Sequence, residues 1–380
     1  MGKRLVLAGA GHAHLTTISA IRSLVKRGHH VTVIGPSSHH YYSGMSPGAL
    51  AGTYRPQEIR FNVERLTTGR GGHFIRDHVT GIDPESRTVT LSSGGCIPYD
   101  VISFNVGSVI PVSSLQLGSG NLFTVKPIER ILAGRRAILE SGAACTPETP
   151  LCTVIVGGGP AGVEMAGGIW RLARDNGVPA RVTLVTGGKL LGSFPPRLGD
   201  AARSSLNRRG IGVLEGVRAV SAGAGGVSFE DGSTLEADVI FIAAGIIPSP
   251  LFTGSLVPTA EDGGLLVNHY LQSVGYPEIF GGGDCVTIRG ENLARVGVYA
   301  VRQNPVLLHN IAAALDDQPM VRFNPGSPSF LLLLNMGDGT AIYRKGRWVW
   351  QGKLAFKLKD FIDRRFMRKF QLSGELAEPQ

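Results

Sequence analysis

One pattern occurs twice in the chain, an apolar run ending in glycines and passing into a helix-spaced segment, and that repetition leaves few architectures open. The first copy is Arg4-LVLAGAGHAHLTT and the second is Cys152-TVIVGGGPAGVEMAGGI. In the first, Leu15, Ile18, Ile21 and Leu24 share a face of an expected helix over Ala13 to Arg27, and His30-VTVIGP supplies a following strand. In the second, Arg181-VTLVTGG is the following strand. Strand, glycine turn, helix and strand make a βαβ unit of a parallel sheet. A second repeat supports the first. Thr88-VTLSSGGCIPYDVISFNVGS and Gly226-VSFEDGSTLEADVIFIAAGIIP share one pattern, with Asp100 matching Asp238 and Gly107 matching Gly245. The chain is therefore expected to be α/β, with two related units. The second is inserted within the first, and crossings fall near residues 115–121 and 246–254.

The two glycine turns differ in one position. Gly157, Gly159 and Gly162 complete G-x-G-x-x-G, whereas Gly9 and Gly11 are followed by His14 in the third place. The first two glycines of such a turn let backbone approach a pyrophosphate at a helix N-terminus, where free N–H groups and the dipole favour an anion. The third permits close helix–sheet packing. The first copy thus reads as a variant dinucleotide site in which the helix stands off or the imidazole points along its edge. His12 either sits beside the pyrophosphate or is a neutral ring satisfying backbone groups at the helix start. Further on, Glu278-IFGGGDCVTI is a short strand ending in glycines and an acid. Gly297-VYAVRQNPVLLHNIAAAL is an amphipathic helix, and from about residue 322 short strands lead to a basic, aromatic tail.

Composition narrows the class. The 53 glycines among 380 residues have no G-x-y period, so they mark turns and close backbone approaches rather than a collagen helix. The net charge of +9 favours anionic partners. Nucleic acid is not expected among them, because the basic residues gather in the tail without a recognition motif. Cys96, Cys145, Cys152 and Cys285 form no C-x-x-C pair, which argues against a disulfide framework or a metal site and suits a cytoplasmic, reducing compartment. The opening apolar run is too short for a signal sequence. Val239 to Pro248 falls short of the roughly 20 residues that span a bilayer. On a helical wheel Leu354, Leu358, Phe361, Ile362, Phe366 and Phe370 fall on one broad face. Residues 353–370 carry seven Lys/Arg against two Asp. Such a helix binds the inner face of an anionic membrane peripherally, packs on a partner such as a second copy in a homodimer, or packs on its own core.

Together, the paired glycine turns, YDVISFNVGS, ADVIFIAAG and the late GGGDC resemble the ordered motifs of the pyridine nucleotide-disulfide oxidoreductase superfamily over about residues 3–320. The branch most resembled holds type II NADH dehydrogenases and sulfide:quinone reductases. GAGHAHL, YYSGMSPG and KDFIDRRFMRKF resemble the flavoprotein domain sometimes fused to selenophosphate synthetase. The resemblance implies two Rossmann-like dinucleotide-binding domains of three-layer ββα type: FAD on residues 1–115 and 246–320, NAD(P)H on 116–245, and a small α+β region from 321 to 380. It implies FAD contacts from Gly9, Gly11, His12, Gly35, Pro36, Gly44, Val79, Gly107, Gly283 and Asp284, and from Val298, Tyr299 and Ala300 at a helix start. NAD(P)H contacts would come from Gly157, Gly159, Gly162, Glu164, Thr186 and Gly245.

Departures from the family pattern shape the expected chemistry. The second strand of the first unit ends Ile34-Gly35-Pro36 and that of the second ends Val185-Thr186, so neither brings the usual ribose-binding acid. Losing one charged hydrogen bond costs roughly 1.5–3 kcal/mol. Lys189 could meet a 2′-phosphate or be solvated. His39-HYYSGMSPGALAG has no cysteine where disulfide reductases carry their redox pair. The expected reaction is therefore electron transfer from NAD(P)H through flavin to a second acceptor, quinone-like or another small molecule, without a thiol relay. The alternatives are a soluble flavoprotein acting on sulfur or selenium and a non-catalytic redox sensor. Candidate reactive residues are Lys126 (or a solvated loop lysine), Glu164 (facing nicotinamide, or a carboxylate favoured by the helix dipole) and Gln303, the one match to a quinone-site helix motif. The tail follows the nucleotide units, so its removal is expected to spare FAD.

Overall fold

The computed structural model describes residues 2–111, 115–327 and 329–378. Ten short apolar segments become strands: β1 (Arg4–Ala8), β2 (His30–Gly35), β3 (His73–Arg76), β4 (Val101–Phe104), β5 (Leu122–Thr124), β6 (Leu151–Val156), β7 (Ala180–Thr186), β8 (Gly212–Glu215), β9 (Val239–Ile242) and β10 (Ile279–Gly281). They form two parallel sheets, ordered β10-β4-β1-β2-β3 and β5-β9-β6-β7-β8. The orders correspond strand for strand, with the glycine-turn strand in the middle of each. All residues of β4, β9 and β10 are buried, as strands covered on both faces must be. In register, Ala8 pairs with Ile34 and Phe104, and Val156 pairs with Val185 and Ile242. The carboxyl ends of each sheet therefore align along one edge, where ligands of open α/β sheets bind.

The second repeat also has a physical counterpart. Val79–Asp83, Thr88–Leu91 and Cys96–Pro98 make an antiparallel meander, and Ala219–Gly223, Gly226–Phe229 and Thr234–Leu235 make its equivalent. Ser108–Val109 and Ile247–Pro248 pair antiparallel where the chain passes between the two sheets. Residues 112–114, beside the first expected crossing, lie outside the described residues.

The single helix expected over Ala13 to Arg27 is instead three pieces: a 3-10 turn His12–His14, α1 (Leu15–Ser19) and α2 (Ile21–Lys26), broken at Ala20 (φ −92°, ψ 0°). Along the chain follow α3 (Ser46–Leu50), α4 (Val63–Thr68), α5 (Ile128–Gly142), α6 (Pro160–Asp175), α7 (Pro196–Asn207), α8 (Gly297–Asp316) and α9 (Lys353–Phe370). The units meet where α6 lies on α3, close enough that a β-carbon at Gly168 would sit 2.9 Å from the Pro47 carbonyl. A three-stranded antiparallel sheet, Leu332–Asn335, Ala341–Lys345 and Trp348–Gly352, precedes α9.

The apolar face expected on α9 is split. Phe370 is buried and Phe366 packs on the core, but Leu354 and Phe361 are 72% and 55% exposed and Ile362 is exposed with them. The stripe that packs inward is Ala355, Lys359, Asp363, Met367 and Phe370. Lys359 and Asp363, one turn apart, form an ion pair at 2.9 Å, so two charges enter the interior together. Among the described residues no helix is long and apolar enough to cross a membrane.

Candidate active site

The first glycine turn follows β1 at the sheet's carboxyl edge. Gly9 has φ +85°, and a β-carbon there would lie 2.4 Å from the Asn105 carbonyl, so this position excludes side chains. Asn105, buried just beyond β4, joins the parts. Its Oδ1 accepts the Ala13 N–H at 3.0 Å and its Nδ2 donates to the Gly282 carbonyl at 2.6 Å, linking the glycine turn to the late GGGDC loop. The sequence reading missed Asn105, a single polar residue between an apolar strand and a glycine.

His14 settles how the variant turn works. The ring is buried, with Nδ1 2.6 Å from the Gly9 carbonyl and Nε2 2.8 Å from Ser103 Oγ on β4. It spans the gap between turn and strand, and the helix begins as a 3-10 turn that holds it off the sheet. Burial pushes its pKa down to about 4. In the second unit the gap is closed. A β-carbon at Gly162 would lie 1.8 Å from the Gly157 carbonyl, so α6 packs directly on its turn.

His12 does not satisfy backbone groups, which corrects one of its two expected roles. Its Nδ1 lies 3.3 Å from His40 Nε2, and its ring sits among Tyr42 and Phe366. Burial, reinforced by the Lys126 charge, lowers its pKa to about 4. Its Nε2 is buried without a partner among the described residues. Lys126 is no solvated loop residue. Its Nζ donates to Asp284 Oδ2 at 2.7 Å and to Ser108 Oγ at 2.6 Å, at the end of β10. Gly283, Asp284, Tyr299, Ala300 and Gln303 line one cleft at the start of α8, where Val298 lies in the first helical turn. Gln303 Oε1 accepts the Gly283 N–H at 2.6 Å and so holds the loop.

The remaining expected contacts lie along the same edges. Gly35 ends β2 beside Phe74, Pro36 follows, and Val79 opens the first meander. Gly107 and Gly245 follow β4 and β9 with positive φ. The Gly44 carbonyl accepts from Lys359 Nζ at 2.7 Å. Gly157 follows β6, and Gly159 precedes α6 without a side-chain cap. Thr186 ends β7, with Arg218 alongside Gly187.

Glu164 lies in the second turn of α6, past the reach of the helix N-terminus, so the dipole alternative is corrected. It is buried. Its Oε1 accepts the Asn335 N–H at 2.8 Å and lies 4.0 Å from Lys359 Nζ. Burial raises its pKa to about 7 despite those partners. Burial opposes the Lys359 charge as well, but Asp363 and Glu164 outweigh it and hold that ammonium above its usual range. Tyr42 donates to Asp363 Oδ1 at 3.0 Å, and burial with that carboxylate pushes the phenol well up. Neither Lys359 nor Asp363 was identifiable from sequence. All four cysteines are free thiols. Cys285 is buried, its thiol donating to the Gly282 carbonyl at 3.4 Å and raised by burial to about 11. Among the described residues no cluster of His, Cys, Asp or Glu could hold a metal ion.

Two parallel α/β units, each with a glycine turn at the carboxyl edge of its central strand, define a two-dinucleotide-fold oxidoreductase. The chain belongs to the family of pyridine nucleotide-disulphide oxidoreductases, matched over residues 3–310. It is an oxidoreductase whose cofactors are FAD and a pyridine nucleotide. It is 25% identical to a type II NADH:quinone oxidoreductase of Staphylococcus saprophyticus, over 98% of this chain and 96% of that protein. The NDH2 of Plasmodium falciparum in complex with NADH superposes with a TM-score of 0.79 at 15% identity, over 99% of this chain and 98% of that one. The sulfide:quinone oxidoreductase of Aquifex aeolicus does so with 0.77 at 18%, over 97% and 92%.

Proposed function

We propose that the protein takes electrons from NADH or NADPH onto FAD and delivers them to a quinone at a membrane surface, with no cysteine in the relay. The observation that carries this reading is the placement of α9. Its inner face sets Lys359, Asp363 and Phe366 against Tyr42, Gly44, His12 and Glu164, while Leu354, Phe361 and Ile362 face outward among basic residues. An apolar, basic helix surface directly above a buried proton-bearing cluster suits an acceptor drawn from lipid. The near-full-length likeness to a protein named for NADH and quinone supports it.

In this reading residues 1–115 and 246–320 hold FAD, 116–245 hold the nicotinamide nucleotide, and 321–380 complete the acceptor side. α6 starts after Gly159 without a side-chain cap, leaving N–H groups free for a pyrophosphate; in the 3-10 turn after Gly11, Asn105 takes the Ala13 N–H, so a pyrophosphate there would meet the glycine backbone and the N–H of His12. The partnerless His12 Nε2 also fits a bound group there. Lys126 and Asp284 would bind the flavin end through their exposed edges. The flavin supplies the hydride and electron chemistry. Reduction of a quinone also consumes two protons. Glu164, with a pKa of about 7, would hold and pass a proton, and the Lys359 ammonium beside it would steady the carboxylate left behind.

Anaerobic titration of the FAD-loaded protein with NADH and NADPH, followed by addition of a water-soluble quinone, tests the proposal. Bleaching of the flavin band and its quinone-dependent return are expected. Flavin reduced by nicotinamide but not reoxidised by any quinone would exclude the acceptor. No bleaching with either nucleotide would exclude the donor.

A further inference from the structure

A second polar site lies away from the nucleotide edges. Ser19 at the end of α1, Arg22 in α2, Arg65 in α4, and Gly69 and Arg70 beyond it line a cleft closed on one side by Leu372 and Ser373, just past α9. Three guanidinium groups meet there with too few carboxylates. Arg65 Nη1 is 3.2 Å from Glu378 Oε1, and that carboxylate also serves Arg60, His39 and Asn62. Among the described residues Arg22 donates only to the Gly69 carbonyl, at 3.2 Å, and Arg70 only to the carbonyls of Ser19 and Leu66, at 3.2 and 3.1 Å. Glu375, whose charge reaches Arg70, spends its two oxygens on the backbone N–H groups of Asn62 and Ser373. Among the described residues no carboxylate lies within ion-pair distance of Arg22 or Arg70. Burial and the neighbouring Arg22 charge both push the Arg70 guanidinium down. Ser19 Oγ is buried without a hydrogen-bond partner among the described residues.

Solvent-facing guanidinium groups that gather without matching carboxylates suit an anion with several oxygens. Guanidinium forks match a phosphate in charge and geometry. The apolar side of the cleft indicates what carries it. Leu372 is exposed just past the end of α9, whose outward side carries the exposed Leu354, Phe361 and Ile362 together with Arg365, Arg368 and Lys369. A ligand with its phosphate among the arginines would lay an acyl chain along this side.

We infer that the Arg22–Arg65–Arg70 cleft binds the phosphate of an anionic phospholipid, fixing how the protein sits on a membrane. The phosphate chemistry stands on the cleft alone, and the lipid source rests on the membrane reading given above. The test measures calorimetric binding of two soluble probes to the FAD-loaded protein: monomeric dihexanoyl-phosphatidylglycerol and glycerol phosphate. Wild type should bind the short-chain lipid more tightly than glycerol phosphate. Arg22→Gln, whose side chain is exposed, should weaken the lipid at least about tenfold, the loss of one charge-assisted contact. Ser19→Ala should weaken it less. Both variants should keep their flavin spectrum and thermal transition. Unchanged affinity in a folded Arg22→Gln protein, or binding of neither probe by wild type, overturns the site. Equal affinity for both probes overturns the lipid source and leaves a free phosphate ester. Co-sedimentation with phosphatidylglycerol vesicles separates this inference from the reading it builds on. If wild type binds the short-chain lipid yet does not sediment, the membrane reading fails and the phosphate site stands. If Phe361→Asp abolishes sedimentation while lipid binding persists, both hold.

Discussion

His14 shows how a substitution that interrupts a motif can strengthen the structure around it. Its ring bonds the Gly9 carbonyl and Ser103 Oγ, and replacing it with alanine leaves both polar groups buried and unmet. We expect His14→Ala to lower stability by on the order of 2 kcal/mol or more and to loosen FAD, measured by urea unfolding and by flavin release on gel filtration. His14→Gly should not rescue it, because the 3-10 turn already stands off the sheet. Glu164 gives a pH signature. Its folded pKa of about 7 lies above the free value of 4.5, so the native state keeps a proton that the unfolded chain gives up. Its contribution is full below pH 4.5 and is lost as pH rises through 7. Glu164→Gln, with no such proton to lose, should therefore gain stability relative to wild type as pH increases from 5 to 8, read as the difference in Tm between the two across that range. A flat difference would show that the carboxyl titrates normally. Glycine turns were legible in the sequence because only glycine meets their steric demand. The roles of Asn105 and Gln303 were not, because a lone polar side chain bonding to backbone across the fold leaves no periodic trace.

The helix α9 marks where periodicity misleads. A wheel sorts residues by polarity, and it placed Phe366 with Phe361 on one broad face. In the fold a neutralised ion pair, Lys359–Asp363, occupies the inner stripe. Phe366 sits in an aromatic cluster with Tyr42 at 4.9 Å and Phe370 at 5.2 Å between ring centroids, while Phe361 stays outside. The two phenylalanines therefore separate experimentally. Phe361→Asp should reduce co-sedimentation with anionic vesicles and leave Tm near wild type. Phe366→Asp should lower Tm sharply and release FAD whether or not vesicles are present. The same contacts alter the expectation for truncation. Removing 353–378 strips Lys359 from Glu164 and Gly44 and uncovers His12 and Tyr42. We expect the truncated protein to lose flavin on dialysis, where a separable tail would have left it bound.

Across the whole molecule the two parallel sheets were the most legible feature, because βαβ units impose a pattern that repeats along the chain and the copies confirm each other. The nesting followed from that repeat, whereas the seam between α3, α6 and α9 depends on contacts distant in sequence. All four cysteines are free thiols, and burial of Cys285 holds its thiol up at about 11. A variant with all four cysteines changed to serine or alanine should therefore keep nicotinamide-dependent flavin reduction near the wild-type rate by stopped-flow absorbance. A large loss traced to Cys285 with FAD retained would contradict this. The nesting also sets an order of assembly on the ribosome. Strand β4 waits for β10 as its edge partner, and residues 105–278 emerge between them. The inserted sheet, β5 to β9, has all its strands as soon as Ile242 is out, so it can close first and leave the tunnel as a finished body. Until Gly281 appears, the earlier sheet carries an open edge at Val101–Phe104. Nascent-chain arrest in that interval should catch a protein whose middle resists protease while its beginning is still being cut.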